Sequence, residues 1–277
     1  MQVRFSEDRV VPIGIEIEVP WKAYFPDLWV EGFPNIHPDL LAEISEACSV
    51  REKVLLSRLQ ETVELGINKG ADKYWEFAFD PVTEVGITHS HVMMLQLEGL
   101  IPPGPHSLHI TLGGLKLDRN CHYIAMILES MSCSPSRIMT GFHPTSSAQS
   151  TGWARKGYAG MFLKEGNHDL QHGYEVGTEI RILQLPETEL KLFELLDVAQ
   201  QLACMVALEQ RGQKCVLWQQ IVIKCRDVLA QHNLPDQNWK KPHIEPNVWR
   251  GFATQYEFIS SCVINTVLPL IVEQEWV

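Results

Sequence analysis

No glycine-rich phosphate loop is present: neither a GxxxxGK[ST] nor a GxGxxG pattern occurs anywhere in the 277 residues. A nucleotide would have to be held by metal ions and side chains instead of a nest of backbone amides. Cys-x-x-Cys pairs are absent as well. The 7 cysteines, at positions 48, 121, 133, 204, 215, 225 and 262, are odd in number and lack zinc-type spacing. That pattern excludes a zinc ribbon and reads as free, buried thiols. Residues 1–12 carry no apolar core of a secretory leader. The longest apolar stretch, 258–272, is interrupted by Ser, Cys, Asn and Pro and falls short of the ~20 residues a membrane span requires. Basic residues are few, with 23 Lys and Arg against 34 Asp and Glu and a net charge of -11. Extensive contact with nucleic-acid phosphates needs the opposite balance. The expectation is a cytoplasmic chain with neither membrane nor nucleic acid as partner.

What is present is an ordinary globular composition. Hydrophobic residues make up 45% and charged residues 21%, enough apolar material for a sizeable core. An acidic surface still admits ATP, because divalent cations in a cleft invert the local charge logic.

Four segments alternate apolar and polar residues and predict half-buried strands: Ile13–Val19, Trp75–Pro81, Ser107–Leu112 and Gly177–Leu183. Around them the apolar spacing predicts helices over Asp39–Leu65, Thr83–Leu97 and a segment from Asp118, a good N-cap, to Met131. Residues 132–177 are rich in Ser, Gly, Pro, His and Thr and predict a functional loop region, with a short strand over Tyr158–Leu163. Beyond Pro186 the pattern turns helical, over Glu187–Gln210, Val216–Gln231 and Val248–Glu273. The predicted class is α+β, with residues 1–186 forming the sheet and site and residues 187–277 a helical region packed on it as one unit. The apolar surface of that helical region leaves room for a homo-oligomer.

Side chains alternate across a sheet, so residues i and i+2 share a face about 6.5 Å apart. On each predicted strand the apolar set lies on one face: Ile13, Ile15, Ile17 and Val19; Trp75, Phe77 and Phe79; Leu108, Ile110 and Leu112; Ile180 and Ile182. The other face then collects Glu16, Glu18, Glu76, Asp80, His109, Thr111, Glu179 and Arg181. Carboxylates crowded in this way repel one another and lose hydration unless something positive lies between them. Glutamate oxygens and one imidazole suit Mg2+ or Mn2+. Arg181 would neutralise charge on a transferred phosphoryl group. Taken singly, an alternating Ile-Glu strand reads as solvent-facing sheet, Glu179 with Arg181 as a surface ion pair, and a strand histidine as structural.

The ordered set GIEIE (14–18), YWEFAFDP (74–81), SLHITLGG (107–114) and GTEIRIL (177–183) resembles the amidoligase family, a branch of the glutamine synthetase and glutamate–cysteine ligase superfamily of carboxylate–amine ligases. The likeness covers roughly residues 13–186. It implies a curved antiparallel sheet cupping the active site, backed by helices as in the glutamine synthetase catalytic domain. It implies metal ligands at Glu16, Glu18, Glu76, His109 and Glu179, and nucleotide contacts from His109, Thr111, Arg181 and Tyr158. Arg181 and Arg155 would act on the reacting groups, with ATP and Mg2+ or Mn2+ as cofactors. The partners implied are a small-molecule carboxylate and an amine, including peptides. The sequence departs from the pattern at Thr111, where the family has a second histidine, at Ser107, where it has glycine, and at Lys156 and Gly157, inserted between Arg155 and Tyr158. Those departures motivate an alternative, a relative that keeps the sheet as a binding or scaffold protein. An amide hydrolase using the same cluster has no need of Arg181.

The remaining histidines are less informative. His89 and His91, two apart on a predicted helix, point to different sides. His168 and His172 fall in the loop region and are candidates for substrate contact. Trp218, Trp239, Trp249 and Trp276 are read as core or oligomer contacts.

Overall fold

The computed structural model describes residues 10–19, 48–54, 73–101, 106–132, 163–166, 177–186, 188–231 and 262–272. Its strands are β1 (Ile13–Val19), β2 (Cys48–Val54), β3 (Lys73–Val82), β4 (Ser107–Gly113), β5 (Leu163–Gly166) and β6 (Gly177–Gln184). They form one sheet in the order β2-β3-β1-β4-β6-β5, and every pairing is antiparallel. The helices are α1 (Val85–Leu97), α2 (Arg119–Ser132), α3 (Glu189–Gln210), α4 (Val216–Gln231) and α5 (Leu268–Val272). An antiparallel sheet with helices is α+β architecture.

The apolar faces of the strands meet the helices. Ile13, Ile15, Ile17 and Val19 of β1, Phe77 and Phe79 of β3, Leu108, Ile110 and Leu112 of β4, and Ile180 and Leu183 of β6 are all buried in one cluster with α1, α2, α3 and α4. Each such side chain contributes about 1.5–3 kcal/mol by leaving water. Long α3 lies at the centre of the helical layer and buries Leu192, Leu195, Leu196, Ala199, Leu202 and Ala203 among others. It also holds the start of β1. Gln200 Nε2 donates to the Val11 carbonyl at 3.1 Å and the Thr83 carbonyl at 2.7 Å, and Val11 N–H donates to Cys204 Sγ at 3.3 Å.

Helix ends follow local chemistry. Asp118 caps α2 as expected, its Oδ1 accepting from Asn120 N at 2.7 Å and Cys121 N at 3.2 Å. Gly99 and Gly212 follow α1 and α3 with φ of 74° and 75°, the left-handed conformation that lets the next two amides turn back onto the last carbonyls. Leu100 N–H bonds Leu95 O, and Gln213 N–H bonds Leu208 O, both at 2.9 Å.

Several expectations are corrected. The helix expected over Asp39–Leu65 is contradicted at residues 48–54, which form β2 on β3; the rest of that span lies outside the described residues. Cys48 and Val50 take register positions beside Phe79 and Phe77, so the segment satisfies a period of two as well as the helical one, and the open edge of β3 decides. The helix expected over Val248–Glu273 is not continuous in its described part. Residues 262–266 and α5 are separated by a turn at Val267, because Pro269 has no amide to continue the ladder. Of the strand expected over Tyr158–Leu163 only Leu163 is among the described residues, where it begins β5. No described helix is long and apolar enough to cross a membrane.

Candidate metal centre

Strand order carries the site. β1 lies between β3 and β4, and β6 lies beyond β4. Glu18 is the register partner of Glu76 on β3, Glu16 that of His109 on β4, and Thr111 that of both Gly14 and Glu179. Cross-strand partners share a face with Cβ atoms about 4.5–5.5 Å apart. The pleat therefore gathers Glu16, Glu18, Glu76, His109 and Glu179 into one patch across four antiparallel strands.

That patch is not a solvent-facing surface. Glu76 and His109 are 0% exposed, Glu179 1% and Glu18 6%; Glu16 keeps 17% of its side chain in contact with solvent. Burial of this kind sets aside the reading of these strands as ordinary half-wet sheet. His109 sits at the centre. Its Nδ1–H is shared between Glu16 Oε2 and Glu179 Oε1, each at 3.2 Å, while Nε2 lies 3.9 Å from Glu18 Oε2. Burial is the largest influence on this imidazole and lowers its pKa. The hydrogen bonds from Glu16 and Glu179 and the charges of Glu18 and Glu179 together outweigh it and hold the pKa up at about 9. Without a metal, His109 is an imidazolium at neutral pH.

One ligand atom each from Glu16, His109 and Glu179 lies within 4.8 Å of the others, a cluster able to hold a metal ion. The donor set fits a hard divalent cation such as Mg2+ or Mn2+: two carboxylate oxygens and one nitrogen, with the carboxylates of Glu18 and Glu76 on the same face. Like charges 4 Å apart repel by about 4 kcal/mol at an effective dielectric of 20, so a positive charge in the patch is favourable, and a proton on His109 or a metal ion supplies one.

The fold brings some of the sequence-predicted residues together and not others. Glu16, Glu18, Glu76, His109 and Glu179 come together. Thr111 is beside them, half-buried at the register position of Glu179. Arg181 lies in β6, in the stretch opposite His109 where the register slips, and its side chain is outside the described part of the strand. Arg155 and Tyr158 lie outside the described residues, as do His168 and His172. Asp80 is on β3, its side chain undescribed. His89 serves packing: its ring meets Phe193 edge-on at 5.5 Å, and Nε2–H donates to the Glu189 carbonyl at 3.2 Å. Trp218 is buried, with Nε1–H donating to Asn120 Oδ1 at 3.0 Å.

One expectation about faces is corrected. Ile180 and Ile182 were expected to share the apolar face, but a bulge between Ile110 and Leu108 makes Leu183 the partner of Leu108. Ile180 and Leu183, three apart, are both buried; the side chain of Ile182 is outside the described part of the strand. A bulge inserts one residue and reverses the alternation beyond it. Sequence reasoning also passed over two basic register positions at the ends of the rows: Arg51 of β2 opposite Glu76, and Lys164 of β5 opposite Glu179. No signal short of the pairing itself could have found them.

Comparison of the chain with protein-family models and with curated proteins finds no match.

Proposed function

We propose that this chain is an ATP-dependent carboxylate–amine ligase, forming an amide through an acyl phosphate on an amino acid, a peptide or a peptide-like metabolite, with its sheet as the cup of a glutamine-synthetase-like catalytic unit. The observation that carries the reading is the convergence of Glu16, His109 and Glu179 from three adjacent strands, with ligand atoms within 4.8 Å and Glu18 and Glu76 on the same buried face. These are the strand positions that the resemblance to the amidoligases assigns to metal and nucleotide.

A divalent cation in this centre supplies charge neutralisation for the nucleotide phosphates. The residues of the chain do the rest. Glu16, Glu179 and the imidazole of His109 hold the cation. Glu18 and Glu76 keep the patch anionic enough to attract it. Arg181 balances charge on the phosphoryl oxygens, Arg155 acts on the reacting groups, and Tyr158 contacts the nucleotide. Thr111 offers a hydroxyl in place of a second imidazole. Phosphoryl transfer of this kind depends on positioning and electrostatics rather than on covalent chemistry by the protein.

Thermal unfolding with a non-hydrolysable ATP analogue and Mg2+, on the parent and on Glu16→Ala, tests the reading. Ligand at 100 times its Kd adds about 2.7 kcal/mol to stability. Stabilisation of the parent that disappears in Glu16→Ala is the expected result. No shift in either protein retires the ligase.

One observation favours a second reading, a binding or scaffold relative. The imidazolium of His109, held between Glu16 and Glu179 at 3.2 Å each, puts a positive charge at the centre of the patch without an ion. ADP release in the presence of an amino-acid mixture would eliminate it.

A further inference from the structure

Glu179 stands at a weak point of the sheet. Upstream of the bulge, β6 pairs with β4 over Gly113↔Gly177, Leu112↔Thr178, Thr111↔Glu179 and Ile110↔Ile180, and the register slips before Leu108↔Leu183. A shift of one residue in this short run would turn Glu179 into the apolar core and away from His109. The glycine pair at its end has no side chains to oppose that shift.

We propose that Thr178 is a positioning residue, its buried hydroxyl pinning the start of β6 so that Glu179 stays beside His109. Thr178 is 0% exposed on the core face, where a hydroxyl costs stability unless it is hydrogen-bonded. It donates to the Leu115 carbonyl at 3.0 Å and lies 3.8 Å from the Cys121 thiol, which donates to it. Leu115 begins a loop that is itself clamped. Gln210 of α3 donates to the Lys116 carbonyl at 2.7 Å and to Asp118 Oδ2 at 3.1 Å, and its own oxygen accepts from Lys116 N–H at 3.1 Å. The acceptor of Thr178 is therefore a fixed point of the α2–α3 layer. In a register displaced by one residue, Thr178 would leave that acceptor, so the hydroxyl selects the register that presents Glu179. Thr178 is the register partner of core-face Leu112, on the face away from the patch, and acts through its neighbour Glu179. Its functional weight rests on the metal-centre reading above; its geometric action does not.

The test is the side-chain 1H–15N spectrum of His109 in metal-free protein, the signal assigned by its loss in His109→Gln. The parent, Thr178→Val, Thr178→Ser and Glu179→Gln are compared. Thr178→Val keeps the shape and removes the donor, and should move the His109 Nδ1 signal toward its position in Glu179→Gln. Thr178→Ser keeps the donor and should leave it at the parent position. A parent-like spectrum for Thr178→Val, whatever its melting temperature, overturns the proposal, because a merely structural threonine lowers stability without moving this signal. Should Thr178→Val not fold, Thr178→Cys, a weaker donor of similar size, should give an intermediate displacement, and an unmoved signal overturns the proposal equally. Mn2+ titration of the same samples then reads the metal centre. Thr178→Val should bind more weakly than the parent, by no more than the loss seen in Glu179→Gln. A parent that binds no Mn2+ refutes the metal centre, and the imidazole comparison still decides Thr178.

Discussion

In metal-free protein, raising the pH from 6 to 10 should cost the folded state about 3 kcal/mol through His109 alone. The group moves from an ordinary pKa of 6.5 in the unfolded chain to about 9 in the fold, and each unit is worth about 1.36 kcal/mol. Because the folded value is the higher one, the contribution is complete below the unfolded pKa. It falls as pH rises from 6.5 toward 9 and is absent above that. At 0% exposure the interaction is not screened by solvent. Urea unfolding in EDTA, followed by tryptophan fluorescence across this range, should show the parent losing about 3 kcal/mol more than His109→Gln. Metal reverses the slope. A cation takes the unprotonated imidazole, so binding at pH 7 should release close to one proton, and affinity for Mn2+ should rise about tenfold per pH unit until the proton is gone. Parallel pH curves for parent and variant would refute the charge assignment. A Mn2+ affinity flat between pH 6 and 9 would remove His109 from the ligand set.

Three further outcomes follow from the packing. Gly14→Ala should lower stability by about 1–3 kcal/mol in urea unfolding, because the new methyl would sit 2.9 Å from Pro81 Cγ and 3.3 Å from the Phe79 carbonyl, and the backbone oxygen cannot give way. Asp118→Ala should cost about 1–2 kcal/mol by the same assay, since it removes the acceptor for Asn120 N and Cys121 N as well as the contact with Gln210; Asp118→Asn should recover most of the loss. Burial raises the thiols of Cys121 and Cys225 to about 12 and of Cys204 to about 11. At pH 8 only about 10⁻³ to 10⁻⁴ of each is thiolate, so iodoacetamide should leave all three unlabelled in native protein and modify them in urea, as peptide mass spectrometry would show.

The strands that carry the site were legible for a physical reason: with one face buried, a period of two is enforced on every residue. Glu16 and Glu18 could be assigned to one face from β1 alone, and Glu76, His109 and Glu179 from theirs. Adjacency was not legible. The contact between Glu16 and His109 spans 93 residues, and which strand pairs with which is decided by loop closure and helix packing, not by alternation. Where a segment satisfies two periods, alternation misleads. Residues 48–54 fit both a helix and a strand, and the edge of β3 settled the matter.

The bulge in β6 illustrates the same ambiguity within a single strand. Ile182 and Leu183 are both apolar, so either could be placed opposite Leu108 without exposing a polar group to the core, and hydrophobic pattern cannot discriminate between them. Upstream no such degeneracy exists. Glu179 is flanked by Thr178 and Ile180, and only one of the two faces offers Thr178 the Leu115 carbonyl. A hydroxyl at an otherwise apolar position of GTEIRIL was therefore a readable signal that this end of the strand is specified by hydrogen bonding. Thr178 confines the slip to positions beyond Glu179, and the carboxylate that completes the cluster with Glu16 and His109 lies on the specified side of it.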